Sequence, residues 1–163
     1  SADQLESIEL TVNPYVLELT GKESPQTGLE GKFSVYFTAA IAFLDGDASE
    51  KQYTDEKVKD EKIIEVQNKI RVVIDENLKE DEVELAALLT DGTTVTHKVL
   101  HAKGSIDNPM KEDELLTKFG SLVEEHMGKG TTDSMAQFLL DIDKYSDINE
   151  LIVLNNKGNG VQI

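Results

Sequence analysis

The sequence predicts an α+β fold: a mainly antiparallel sheet packed with helices over residues 1–105, followed by C-terminal helices over residues 106–154. Two observations predict this division. Alternating apolar and polar residues, which are typical of strands, occur in the first segment, whereas the second has only the three-and-four spacing of helices. Strands followed by a run of helices are typical of α+β proteins. Residues 155–163 are polar and rich in Gly, which predicts a flexible tail.

The composition excludes several classes of function. The chain has 163 residues, enough for one ordinary domain with an appendage. Its 32 acidic and 16 basic residues give a net charge of −16, which would repel nucleic acid and anionic membrane surfaces. The absence of Cys excludes disulfides and thiolate chemistry. The first nine residues are acidic rather than basic, unlike a signal peptide, so we expect a cytoplasmic protein without nucleic-acid or membrane partners.

The first half of the chain mixes strand and helix patterns. Residues 8–12 alternate apolar and polar side chains, which predicts a strand ending at Asn13-Pro14. A connection rich in Gly, Ser and Pro then leads to residues 33–44, which carry no charge. This run is shorter than the 20 or so residues that cross a bilayer, so it predicts a buried core helix covered by the sheet. Its residues at helical spacing are Phe33, Tyr36, Phe37, Ala40, Ile41 and Leu44.

The next segment predicts two short helices and a strand. Thr54 and Asp60 are plausible N-caps of these helices, and residues 71–74 predict the strand. The charged segment 75–82 is interpreted as a solvated loop rather than a calcium site, because it has no coordinating Gly and no fixed ligand spacing. The residues expected along one side of the helix that begins at Asp60 are Ile63, Ile64, Gln67 and Ile70.

A β-hairpin follows. Residues 83–89 and 93–101 flank Asp91-Gly92, a strong hairpin signal in which both central residues would take positive φ.

Three helices are predicted after the hairpin. The first begins near Asn108-Pro109 and ends near Gly128, the second begins at a cap in residues 131–133, and the third begins at Asp147. We expect the apolar face of the second helix to pack against the first domain or against a second copy of the chain, as a possible homodimer. The residues of that face are Met135, Phe138, Leu139 and Ile142.

The three histidines and one glycine-rich loop are weak candidates for chemistry. His97 and His101 share one side of a strand but lie about 13 Å apart, too far to bind one metal together. His126 lies near a helix C-terminus, where its charge is favourable. Residues 128–132 resemble a phosphate-binding loop, but a helix precedes them, so they are interpreted as a helix end and a cap. No catalytic residue and no metal ligand is predicted.

Lys32, Ser34 and Tyr36 are the candidate substrate-binding residues. They lie within one turn at the start of the predicted core helix, where backbone N–H groups also point outward. A lysine there can extend its charge into solvent, or it can face an anionic ligand. With two hydroxyl groups beside it, the segment predicts a carboxylate site.

Five sequence blocks occur in the order found in one known family. They are SIELTV, PQTGLEGKFSVYFTAAIAFLDG, YTDEKVKDEKIIEVQNKIRV, LTDGTTVTHKV and GSIDNPMKEDELLTKF. Over about residues 5–151 the chain resembles the C-terminal part of the MmgE/PrpD family. That family includes 2-methylcitrate dehydratases, cis-aconitate decarboxylases and iminodisuccinate epimerases.

The resemblance implies a fold and a function. Residues 5–105 would form the family's α+β lid domain, and the helices after Lys111 would complete a larger helical domain. The parent enzyme would be a lyase or isomerase of small di- or tricarboxylates that needs no cofactor. Lys32 of the KFS block would face the cleft, with Ser34 and Tyr36 beside it.

The same resemblance implies that the main acid and base residues lie upstream of this chain. We therefore expect the chain alone to be inactive. The alternative is a stand-alone acidic module for binding or assembly that has kept the lid fold without catalysis.

Overall fold

The computed structural model describes residues 2–158, which divide into two compact units between Ala102 and Lys103. The first unit contains a four-stranded sheet with helices, and the second contains helices alone. The predicted α+β class is confirmed.

The sheet has a long central strand, β1 (Leu5–Val12). It pairs in parallel with β2 (Ile70–Ile74) and antiparallel with β3 (Val83–Leu89), and β3 pairs antiparallel with β4 (Thr94–Val99). The order across the sheet is β2-β1-β3-β4. Two of the three pairings are antiparallel, so the sheet is mainly antiparallel, as predicted. Between β1 and β2 the chain crosses over through helices, as a parallel pair requires.

Four α-helices lie between β1 and β2, and the helix predicted after Thr54 is a 3₁₀ turn, Lys57–Lys59. Two of the α-helices, at the start of this connection, were not predicted, because the first has no fully buried side chain and so shows no clear apolar face, and the second has only four residues. The first begins where Asn13 accepts the N–H of Tyr15 at 2.9 Å, and the second where Thr27 accepts the N–H of Glu30 at 3.2 Å. The four are α1 (Pro14–Thr20), α2 (Gly28–Gly31), α3 (Val35–Asp45) and α4 (Glu61–Gln67).

The predicted core helix is α3. Phe37, Ala40 and Ile41 are completely buried and share one core cluster with the buried residues of β1. The prediction is wrong for Phe33, whose exposed fraction is 55%. The reason is that Ser34 is the N-cap of α3, so Phe33 precedes the helix and does not follow its periodicity.

Helix α4 begins at the predicted cap, since Asp60 accepts the N–H of Lys62 at 2.8 Å. Its buried residues are Ile63 and Val66, whereas Ile64 is 39% exposed. The prediction that Ile64 lies on the inner side is therefore wrong. The helix packs through Ile63 and Val66, which are three positions apart, and Ile64 points away from the side that these two residues share.

The hairpin of β3 and β4 is confirmed, but its turn differs from the prediction. Gly92 has a φ of 84°, whereas no residue other than Gly has a positive φ within 2–158. The carbonyl of Leu89 accepts the N–H of Gly92 at 2.9 Å, and the N–H of Leu89 donates to Thr93 at 2.8 Å. The loop is thus longer than a two-residue turn, and Asp91 is not strained.

The second unit contains α5 (Glu112–Met127), α6 (Lys129–Leu140) and α7 (Asn149–Gly158). Helix α5 ends at Gly128, as predicted, and the φ of 74° at this residue lets α6 begin immediately, before the predicted cap. Helix α5 begins after Pro109, where the Glu114 carboxylate accepts the N–H of Lys111 at 2.8 Å.

Helix α7 begins close to the predicted position, because Asp147 accepts the N–H of Asn149 at 2.9 Å. Residues 155–158 of the predicted tail belong to α7, and residues 159–163 lie outside the described part. No helix within the described part is long and apolar enough to cross a membrane.

Candidate functional site

Lys32 lies immediately after α2, where its N–H donates to the carbonyl of Leu29 at 3.2 Å. Its ammonium group forms an ion pair with Glu50, in the 3₁₀ turn after α3. The side chains of Lys32 and Glu50 are 37% and 57% exposed, so this pair is open to solvent. A ligand can therefore reach the charge of Lys32.

Ser34 has a different position from the one predicted for a binding hydroxyl. The residue is completely buried, and its hydroxyl oxygen accepts the N–H of Phe37 at 3.0 Å as the N-cap of α3. Its own N–H donates to the carbonyl of Gly31 at 3.1 Å. Ser34 therefore fixes the junction between α2 and α3, and with it the backbone from which Lys32 and Tyr36 extend.

Tyr36 lines a cavity of about 360 Å³ beside the edge strand β2. Burial raises the pKa of its phenol above the ordinary value, and the negative charge of Glu23 raises it further. The phenol therefore stays protonated at neutral pH and can donate a hydrogen bond. The polar residues that share the cavity are Glu23, Ser24, Gln67, Asn68 and Arg71.

Arg71 is the functional candidate that sequence reasoning missed. It is the only Arg in the sequence, and it stands opposite Glu9 in the parallel pairing of β1 and β2. Its guanidinium lies 3.3 Å from the Glu9 carboxylate, and its side chain is 74% exposed. The fork of an Arg matches a carboxylate in a bidentate arrangement. The sequence signal that could have identified this residue is that it is the only Arg among many Lys residues.

The three predicted residues do not share one set of neighbours. Lys32 contacts Glu50, Ser34 is used as a cap, and Tyr36 shares a cavity with Arg71. The arrangement can present a lysine charge at one place and a phenol at another, while the guanidinium of Arg71 pairs with Glu9.

A second polar contact was also missed. The Nδ1 atom of His101 lies 2.9 Å from the carboxylate of Asp81, in the connection between β2 and β3. This hydrogen bond holds the pKa of Asp81 below its ordinary value. Both side chains are about one-third exposed, at 29% and 32%. The pair joins the end of the hairpin to the preceding loop.

The acidic segment before β3 serves the local structure of its loop. Asp75 accepts the N–H of Asn77 at 2.8 Å, and this hydrogen bond lowers the pKa of its carboxyl. Within the described residues, no group of three or more His, Asp or Glu side chains is placed to hold a metal ion.

Comparison with known proteins gives the family. Residues 1–143 match the family described as MmgE/PrpD C-terminal domain. No curated protein matches the chain. Because the family match covers most of the sequence, the protein belongs to the MmgE/PrpD family and contains its C-terminal domain.

Proposed function

We propose that this chain is the lid part of a lyase or isomerase that acts on small di- or tricarboxylates, similar to 2-methylcitrate dehydratase. The observation that carries the proposal is the match to the MmgE/PrpD C-terminal domain over residues 1–143. Its role is to bind the substrate's carboxylates, without a cofactor. The location that we propose is cytoplasmic.

Lys32 is the proposed first contact with a substrate carboxylate. Its ammonium group is accessible and is balanced by one carboxylate, that of Glu50. Exposed ion pairs contribute about 0–1 kcal/mol to stability. A substrate carboxylate can therefore replace Glu50 at little cost, and Lys32 then holds the substrate as it now holds Glu50.

Ser34 and Tyr36 support this binding in different ways. Ser34 acts through its cap, because it sets the direction in which the chain enters α3. Tyr36 offers a protonated hydroxyl that can donate to a carboxylate, in a cavity that Arg71 also lines. Glu23 lines the same cavity and opposes an anion, so Lys32 is the stronger contact.

Removal of a proton next to a carboxylate needs a base within about 3 Å of that proton. The residues proposed here bind and orient, and none of them is a free base, since Lys32 is a cation and Tyr36 is protonated. We therefore propose that the base lies outside this chain and that the chain alone does not turn over substrate.

Titration calorimetry with citrate tests the binding role. Lys32→Ala should weaken citrate binding about tenfold or more, because a charge-assisted hydrogen bond contributes about 1.5–3 kcal/mol. Lys22→Ala is the matched control, since Lys22 forms a similar exposed ion pair with Glu30 at 2.9 Å. Glu50→Gln should strengthen binding. Equal affinities of the wild type and Lys32→Ala would remove Lys32 from the site.

Turnover tests the enzyme class. Hydration, decarboxylation and epimerisation of several polycarboxylates should be measured with this chain and with the product of the whole gene. We expect activity only if upstream residues supply the base. A whole-gene product that binds citrate but shows none of these reactions would favour the stand-alone binding module.

A further inference from the structure

The strand β4 forms one edge of the sheet, and this edge is open. Five of its six residues are exposed. Val95 is 51% exposed although its register places it on the same face as the buried residues Ile8 and Ala87. Among the described residues, no strand lies beyond β4. Edge strands are usually protected by Pro, by a bulge or by charges, but β4 has no Pro, and Lys98 is its one charged residue.

The hairpin determines which backbone groups face the open edge. Leu89 donates its N–H to the carbonyl of Thr93, and the register continues with Leu88 opposite Thr94. In an antiparallel ladder, hydrogen-bonded pairs alternate with non-hydrogen-bonded pairs. Every second residue of β4 therefore bonds to β3, and the residues between them point their N–H and C=O groups outward. These outward-facing residues are Thr94, Thr96 and Lys98.

This alternation restricts how a second antiparallel strand can pair with β4. Two copies of β4 can pair about a two-fold axis near the middle of the strand, at His97 or at Thr96. With the axis at His97, Val95 of each copy lies opposite Val99 of the other copy. These two pairs are non-hydrogen-bonded pairs, whose Cα atoms lie about 4.5 Å apart. The axis at Thr96 places Val95 against His97 instead. The first register pairs apolar side chains and is the more favourable one.

We propose that β4 is a self-association surface, through which two copies of this chain join their sheets antiparallel about His97. The contact is isologous, since the same strand is used by both copies. Main-chain hydrogen bonds from Thr96 and Lys98 give the affinity, and the two Val95-Val99 pairs cover apolar surface that one copy leaves exposed. This surface does not depend on the carboxylate site.

Charge identifies the second copy as the partner. The chain has a net charge of −16, yet β4 contains no acidic residue and one Lys. Lys98 already pairs with Glu84 at 2.7 Å, and the proposed register places Lys98 opposite Thr96 rather than opposite a second Lys98. A strand without acids lowers the electrostatic cost when two strongly acidic chains approach each other.

Sedimentation equilibrium of Thr96→Pro tests the proposal. Proline at this position removes an outward N–H and leaves the bonds between β4 and β3 in place. We expect the wild type to dimerise and Thr96→Pro to dimerise at least tenfold more weakly, with an unchanged far-UV circular dichroism spectrum. Thr96→Ser keeps the N–H and should dimerise like the wild type. A monomeric wild type, or a folded Thr96→Pro that still dimerises, overturns the proposal.

A cysteine placed on the axis tests the register. The sequence has no Cys, so a single introduced Cys can cross-link only to its copy. In the proposed register, His97→Cys places two Cys directly opposite each other, within the Cα separation that a disulfide spans. Val95→Cys places them four residues apart along the strands, about 13 Å. We expect rapid dimer formation on oxidation for His97→Cys alone, and equal rates for both variants overturn the register.

Discussion

The two units of the chain bury their apolar side chains to very different extents. In the first unit, the sheet and α3 and α4 share one core cluster, in which Phe37 and Val66 are completely buried. In the second unit, Phe138 is the one large apolar side chain that is fully buried among the described residues. Phe138 stacks on Tyr145, with ring centres 4.1 Å apart. The first unit therefore has a core of its own, and the second has little more than one aromatic contact.

The exposed apolar residues of the second unit show what its helices lack. Leu115 is 50% exposed, and two residues of the inner face predicted for the second helix after the hairpin are exposed as well: Leu139 at 38%, and Ile142, which lies in the 3₁₀ turn after α6, at 46%. An amphipathic helix is stabilised mainly by burying its apolar face. Helices with such faces exposed agree with the expectation, drawn from the family resemblance, that they complete a larger helical domain. The comparison teaches that two units of one chain can differ widely in how much of their own apolar surface they bury.

The largest expected effect comes from removing one buried aromatic ring in each unit. Phe37→Ala should destabilise the first unit by about 3–5 kcal/mol, because the ring is completely buried and its removal leaves a cavity in the core. Phe138→Ala should disrupt the packing of α6 and leave the unfolding of the sheet unchanged. Hydrogen exchange of the amides of β1 and of α6 measures the two effects separately. Equal loss of protection in the two variants would show that the units unfold together.

A smaller effect on stability is expected from substituting two glycines, and its direction differs between them. A Cβ atom at Gly28 would lie 2.2 Å from the carbonyl oxygen of Tyr53, whereas nothing lies within 4 Å of one at Gly120 in α5. Gly28→Ala should therefore destabilise the first unit by about 1–3 kcal/mol. Gly120→Ala should stabilise α5 by about 0.5–1 kcal/mol, because Ala favours a helix interior.

Thermal unfolding followed by circular dichroism measures both glycine variants. The comparison of the units would fail if the two substitutions changed stability in the same direction.

The smallest effect concerns pH. His101 holds the pKa of Asp81 below its ordinary value, so this carboxylate stabilises the fold above the unfolded-state pKa of about 4. That stabilisation is lost as the pH falls through the lower pKa of the folded state. His101→Ala should raise the pKa of Asp81 toward its ordinary value, as measured by carboxyl carbon NMR. Glu114 in the second unit is the control, because Lys103 lowers its pKa and should still do so.

An Asp81 titration that His101→Ala leaves unchanged would assign the lowered pKa to another neighbour. A Glu114 titration that moves as well would show that the substitution disturbs both units.

The sequence by itself determined the elements whose signals are local. The alternating residues of β1, the uncharged run of α3, the cap at Asp60, the Asp91-Gly92 turn and the helix end at Gly128 each act within a few residues. The family was also visible, because five local blocks occur in the expected order.

Tertiary structure decided which side chains meet. It paired Lys32 with Glu50 and His101 with Asp81, it brought Tyr36 and Arg71 to the lining of one cavity, and it left Phe33 exposed. These partners are separated in sequence, and they come together because the crossover between β1 and β2 and the hairpin bring distant segments side by side. Periodicity predicts which side of an element is apolar, but the neighbour that each side chain finds depends on how the elements pack.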